Sequence, residues 1–153
     1  MSMGGGGNPQ LQEIAAQIEE LEETREAIEE EIEGLQAEKQ EIDEAINAIE
    51  GLESGSTVQV PLGGGAYVRA EIADIDEVIV DLGADYSAER EQEGAIDSLE
   101  SKQDTLDSRI EELRSEISEI ESESEQLEQR AEQMQAQQMQ QLQQQQQQQN
   151  DNE

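Results

Sequence analysis

Val58-Gln59-Val60-Pro61-Leu62-Gly63-Gly64-Gly65-Ala66-Tyr67-Val68 is the stretch on which the fold turns. Val58, Val60 and Leu62 alternate with Gln59 and Pro61, and three glycines then interrupt the run. Ala66, Val68, Ala70 and Ile72 alternate again, with Tyr67, Arg69 and Glu71 between them. Successive side chains of a strand point to opposite faces, so period two punctuated by glycine reads as a β-hairpin. A third run, Val78-Ile79-Val80-Asp81-Leu82, ends at Gly83, and a short fourth strand is expected around residues 84–87. About four short strands with one apolar face neither close a barrel nor make a core of their own. Val58, Val60, Leu62, Val68, Ile72, Val78, Val80 and Leu82 must therefore dock on something, and this face is the expected assembly surface. Free strand edges invite pairing with other chains.

Outward from this segment the period changes from two to seven. On the N-terminal side Asn8 is placed to cap a helix and Pro9 suits its first position, where a missing N–H costs nothing. Leu11, Ile14, Ile18, Leu21, Arg25, Ile28, Ile32, Leu35, Lys39, Ile42, Ile46 and Ile49 then follow a 3–4 spacing without a skip. That is a coiled-coil seam, ended by Gly51 and Gly55. On the C-terminal side Ser87 reads as a helix cap. A second seam runs through Ile96, Leu99, Gln103, Leu106, Ile110, Leu113, Ile117, Ile120, Ser124, Leu127, Ala131 and Met134.

The two seams are equally long. Folded back on each other, Ile49 meets Ile96 and Leu11 meets Met134, and every layer pairs an a position with a d position. Polar seam residues never face one another: Arg25 meets Ile120, Lys39 meets Leu106, Gln103 meets Ile42 and Ser124 meets Leu21. The expected fold class is α+β, a long antiparallel two-helix coiled coil with two central β-hairpins. Its parts are a flexible Gly-rich lead (1–8), a first coiled-coil helix (9–50), the hairpin region (56–86), a second coiled-coil helix (87–140) and a disordered Gln-rich tail (141–153).

Composition removes most catalytic chemistry. The chain has 153 residues, 8 Lys+Arg against 40 Asp+Glu, a net charge of −32, and no Cys, His, Trp or Phe. No thiol nucleophile, disulfide, imidazole base or His-ligated metal can be built. Such a charge repels phosphate backbones, so no nucleic-acid partner is expected. No apolar stretch is long enough for a membrane span, and no cationic, apolar leader opens the chain, so a soluble cytoplasmic protein is expected. With only 33% hydrophobic residues and Lys nearly absent, the sequence reads as adapted to a salty cytoplasm, where salt screens carboxylate repulsion. Asp74-Ile75-Asp76-Glu77 reads as a solvated turn rather than a calcium loop. Gly63-Gly64-Gly65 lacks the Lys-Ser/Thr of a phosphate loop. No metal, cofactor or catalytic group is expected.

The hairpin sequences carry a family resemblance. Val58-Gln59-Val60-Pro61-Leu62-Gly63-Gly64-Gly65-Ala66-Tyr67-Val68 and Val78-Ile79-Val80-Asp81-Leu82-Gly83-Ala84, set between matched arms, resemble the prefoldin alpha subunits, archaeal and halophile-like. The resemblance covers about residues 10–134. It implies a heterohexamer of two alpha and four beta-type subunits, whose hairpins form a double β-barrel platform with six hanging arms. It further implies an ATP-independent chaperone that captures unfolded polypeptide near the arm tips and passes it to a group II chaperonin.

The residues fit that role in one respect. Each seam, at ~1.5 Å per residue, gives an arm of roughly 58 Å, with the chain ends at its tip. Leu11, Ile14, Leu127, Met134, Met139 and Leu142 gather there and are the expected client contacts. Terminal turns fray, and Met adapts to varied apolar partners. Met134 reads equally as the last seam layer. The alternative is a structural or scaffold coiled coil without client-holding activity, which seam periodicity alone permits and the hairpins disfavour.

Overall fold

The computed structural model describes residues 8–151. It contains α1 (Pro9–Gly51), β1 (Thr57–Gly63), β2 (Ala66–Glu71), β3 (Val78–Gly83), β4 (Tyr86–Arg90) and α2 (Gln92–Asp151). The Gly-rich lead lies outside the described residues except for Asn8, and so do the last two residues of the chain. α1 starts as its sequence dictates. The Asn8 side chain accepts the Gln10 N–H at 3.0 Å and its carbonyl accepts the Gln12 N–H at 3.1 Å. These bonds satisfy donors that the first turn otherwise leaves open.

Two boundaries differ from the sequence reading. Ser87 does not cap α2; it lies within β4, paired with Asp81, because the strand pairing continues to Arg90 opposite Val78. α2 begins only after Glu91, whose carbonyl accepts the Ala95 N–H at 2.8 Å. The Gln-rich segment expected to be disordered is instead helical as far as Asp151. Gln is a good helix former, so an established helix extends through it at little cost per residue.

The chain divides into two compact units, Met1–Ile32 with Glu112–Glu153, and Glu33–Glu111. Within the first, α1 and α2 run antiparallel: Arg25 reaches Glu121 across the seam at 3.7 Å, and Ile14 shares a cavity lining with Met134. Ile14, Ile28, Ile32 and Leu113 are buried there, Leu113 at 1% exposure. Burial of one such side chain contributes ~1.5–3 kcal/mol.

Within the second unit the same arrangement holds. Lys39 pairs with Asp107, and the Gln103 amide donates to Asp43 Oδ1 at 2.5 Å and to the Lys39 carbonyl at 3.3 Å. Ile42, Ile46, Ala95, Ile110 and Val80 form its buried apolar set. In both units every seam position is buried or half-buried, including Arg25, Lys39, Gln103 and Ser124. No polar side chain is fully buried among the described residues.

β1–β2 and β3–β4 are separate two-stranded antiparallel sheets. The two hairpins repeat one pattern: Val58, Val60, Leu62 and Gly63 recur as Val78, Val80, Leu82 and Gly83. Both have a register shift at the equivalent place, Pro61/Gly63 and Asp81/Gly83. Both turns hold consecutive residues at positive φ: 99°, 60° and 82° at Gly63–Gly65, and 89°, 51° and 65° at Gly83, Ala84 and Asp85. Positive φ at both central residues is what a two-residue hairpin needs to follow the strand twist. The first hairpin meets this with glycine, whereas the second places an alanine there, against its steric preference.

Candidate functional site

The candidate assembly residues do not share one environment. On the first hairpin Val58 and Ile72 are half-buried, while Val60 (40%), Val68 (46%) and Leu62 (66%) stand open. On the second, Val80 is buried at 4% and Val78 half-buried, while Leu82 is 47% exposed. The inner face of β3 is thus already covered within its own unit. Leu82 lines a cavity of about 400 Å³ with Glu38, Ser98, Lys102 and Leu106, which brings the second hairpin against the helices beside it.

Three exposed apolar or aromatic residues were missed by sequence reasoning: Tyr67 (62%), Ile79 (73%) and Tyr86 (72%). Ile79 carried a usable signal. It breaks the alternation of Val78-Ile79-Val80, so one of the two faces of β3 has to show an isoleucine that its own hairpin does not cover.

The base of the hairpins is stitched to the helices by polar contacts. The Gln92 side-chain amide donates to the Ile49 carbonyl at 2.7 Å and the Leu52 carbonyl at 3.2 Å, closing the C-terminus of α1. Asp76 Oδ1 accepts the Gln92 N–H at 3.2 Å, capping α2 from the link between hairpins. Ser54 Oγ accepts the Ile75 N–H at 3.0 Å, and Asp74 Oδ1 accepts the Asp76 N–H at 2.9 Å. In the acidic turn Asp74–Glu77 the carboxylates of Asp74 and Asp76 thus serve backbone donors. No cluster of metal-ligating side chains occurs among the described residues.

The expected client contacts divide in a similar way. Ile14 is buried, and Leu11, Leu127 and Met134 are half-buried in the seam. Met139 (64%) and Leu142 (61%) are exposed on the helical extension, off the a and d positions of the seam. Beside them, Asn8, Gln10, Arg130, Met134, Gln137, Gln138 and Gln141 line a shallow cavity of about 430 Å³. Arg25 is the charged seam residue of this unit. It pairs with Glu22 and Glu121, and these carboxylates with Glu29, Glu22 foremost, push its guanidinium pKa up, against the effect of burial. No helix among the described residues is long and apolar enough to cross a membrane.

Two long helices with matched seams, joined through two small antiparallel hairpins with open apolar faces, define a class: coiled-coil chains that carry β-hairpins between their arms. The model of prefoldin subunits matches residues 8–151, and the chain belongs to the prefoldin family, whose members are chaperone subunits. Its relatives include prefoldin alpha subunits of salt-loving archaea. It is 60% identical over 94 residues to prefoldin subunit alpha of Haloarcula marismortui, 61% of either chain. It is 59% identical over 101 residues to that of Halorubrum lacusprofundi, 66% of either chain. The match thus spans just under two thirds of the length of these relatives. Among solved structures it resembles a filamentous PFD from Methanocaldococcus jannaschii, determined by cryo-EM. That likeness has a TM-score of 0.51 at 28% identity, covering 79% of this chain and 97% of the other.

Proposed function

We propose that this chain works as the alpha-type subunit of a cytoplasmic heterohexamer, two alpha with four beta-type subunits, that holds unfolded polypeptide without ATP and hands it to a group II chaperonin. The observation that carries this reading is the set of apolar groups left open on the hairpins: Val60, Leu62, Val68 and Leu82, with Tyr67, Ile79 and Tyr86. A chain with a net charge of −32 gains nothing from showing these groups to water unless another surface covers them. Client holding falls to Met139 and Leu142, exposed on the extension of α2, and to Leu11, Ile14, Leu127 and Met134 when the end turns open. Weak contacts from several arms add through effective concentration, which lets each one release unaided.

The test is co-expression with a beta-type prefoldin subunit in high salt, light scattering for the hexamer mass, and suppression of aggregation of a denatured client. Hexamers that suppress aggregation and transfer client to a group II chaperonin are the expected result. Hexamers without suppression would leave only the scaffold role.

A further inference from the structure

We propose that the outer end of α2 holds unfolded segments in which carboxylates stand beside apolar side chains, and that its uncharged, amide-rich face selects them. The inference rests on the proposed client-holding role and adds the chemical class of the client.

The charge of the chain stops at one layer of the coil. Glu13 is the first charged residue of α1, and Glu132 is the last of α2 before Asp151. In the register that sets Leu11 against Met134, these two glutamates lie level. α2 then runs from Gln133 to Asn150 without a charge, the longest uncharged run in the chain. Asn8 and Gln10, which line a cavity with Gln137, Gln138 and Gln141, are uncharged as well. α1 begins at Pro9, and α2 continues past it with every residue from Gln135 to Asp151 exposed. The heptad positions also continue, so Gln138 falls at a and Gln141 at d, beyond the start of α1. Met139 and Leu142 follow them by one residue each, turned by about 100° around the helix.

A peptide segment lying on this face meets donors. Gln offers two N–H donors and a carbonyl acceptor, whereas ionised Asp and Glu only accept. Against the coil, a client carboxylate finds further acceptors of its own charge. Against Gln137, Gln138 and Gln141 it finds N–H groups. Arg130 lines the same cavity and adds a cation. It is exposed and makes no ion pair among the described residues, although Glu13 shares a neighbouring cavity lining with it. Solubility does not account for the uncharged run, because solubility is served by net charge, which the rest of the chain supplies and this run withholds.

Concentrated salt favours such a surface. The Debye length is ~3 Å at 1 M, so attraction at a distance is screened and direct contact remains. A hydrogen bond from an amide to a carboxylate acts at contact and is strengthened by the charge of the acceptor. Met139 and Leu142, both exposed, supply the apolar anchor that the amides lack. A neutral segment gains the anchor alone. A segment as acidic as this chain gains the anchor and the donors together, and a basic one is drawn to the carboxylates along the coil instead.

The test uses two unstructured peptides with the same leucines, one carrying Glu and the other Gln at the positions between them. Each is titrated at multimolar salt onto the full-length chain, alone and assembled with a beta-type subunit. The wild-type chain is expected to bind the Glu peptide at least about threefold tighter than the Gln peptide. The triple variant Gln137→Glu, Gln138→Glu, Gln141→Glu keeps helix propensity and turns donors into acceptors. It should weaken the Glu peptide at least about tenfold and the Gln peptide less than about threefold. Arg130→Gln should weaken the Glu peptide about threefold and leave the Gln peptide unchanged. It leaves the glutamines untouched and reads the same preference if circular dichroism shows that the triple variant has lost helix. Equal losses of the two peptides, or no preference in the wild-type chain, would overturn the client class while client holding stood. Loss of neither peptide in the variants would overturn it too, placing the contact elsewhere on the arm. Binding of neither peptide by the wild-type chain would overturn both readings.

Discussion

Val60 and Val80 occupy the same position in two hairpins of one sequence pattern, yet the first is 40% exposed and the second 4%. The two β-bonded units are alike in turn geometry and unlike in what covers them. The second hairpin has spent its inner face on its own helices, whereas the first keeps Val60 and Val68 open. A charge at these two positions should therefore separate folding from assembly.

Val60→Asp is expected to change the thermal stability of the isolated chain by less than about 1 kcal/mol, as for a surface substitution, while preventing formation of the proposed hexamer. Val80→Asp buries an unpaired carboxylate and should cost about 2–4 kcal/mol before any partner is added. Thermal melts of the chain alone, beside light scattering with a beta-type subunit, distinguish the two. Equal destabilisation would show that the hairpins are covered alike.

Gln92 offers a second separation. Its amide donates to the carbonyls of Ile49 and Leu52, and only a donor can serve there. Gln92→Glu places a carboxylate against two carbonyl oxygens, and at neutral pH it is expected to cost about 1–3 kcal/mol. Protonation restores one donor. The folded state then holds that proton more tightly than the unfolded chain, so the deficit relative to wild type should shrink as pH falls and grow as it rises. Melting temperatures of both proteins across an acid-to-neutral series check this. A deficit independent of pH would mean that the side chain leaves the two carbonyls.

The seams were legible in the sequence because a seven-residue apolar repeat has one cheap solution, and all the polar seam residues sit where that solution puts them. Lys39 with Asp107, and Gln103 with Asp43, fall within a residue of the layers set by the repeat. The hairpins were legible as strands but not as unequal surfaces. Alternation tells which side chains share a face, and says nothing of which face the neighbouring helices cover. Ser87 was misread because a serine after a strand signals a cap only if pairing stops there, and pairing continued to Arg90. The Gln-rich segment was misread because low complexity describes the lack of a core to bury, while helix formation there continues from a helix already made.

That extension carries the exposed pair Met139 and Leu142. Neither lies on the seam, so replacing both with serine should leave the melting temperature of the chain within about 2 °C, consistent with surface substitutions. Under the proposed client-holding role, suppression of aggregation should fall severalfold in the assembled hexamer. Ile14→Ala makes the opposite pattern, with a loss of about 2–5 kcal/mol from the seam through the cavity it leaves. If the double variant suppresses aggregation as well as wild type, client contact lies elsewhere on the arms.

Arg25 links the charge of the chain to its stability. It occupies a seam position, pairs with Glu22 and Glu121, and leaves its Nε without a hydrogen-bond partner. Two effects oppose each other when it becomes leucine. The seam gains an apolar layer and loses an orphaned donor, which stabilises it. Glu22, Glu29 and Glu121 lose the cation whose pKa they raise, which destabilises in proportion to how far their repulsion reaches. The Debye length is ~10 Å at 0.1 M salt and ~3 Å at 1 M, so the second effect dominates in dilute salt and fades in concentrated salt. Arg25→Leu should thus lower the melting temperature at ~0.1 M salt and raise it above wild type at multimolar salt. A salt titration of both melts would show the curves crossing. Parallel curves would mean that the carboxylates around Arg25 are already screened by water and ions, and that the arginine acts only through its aliphatic stem.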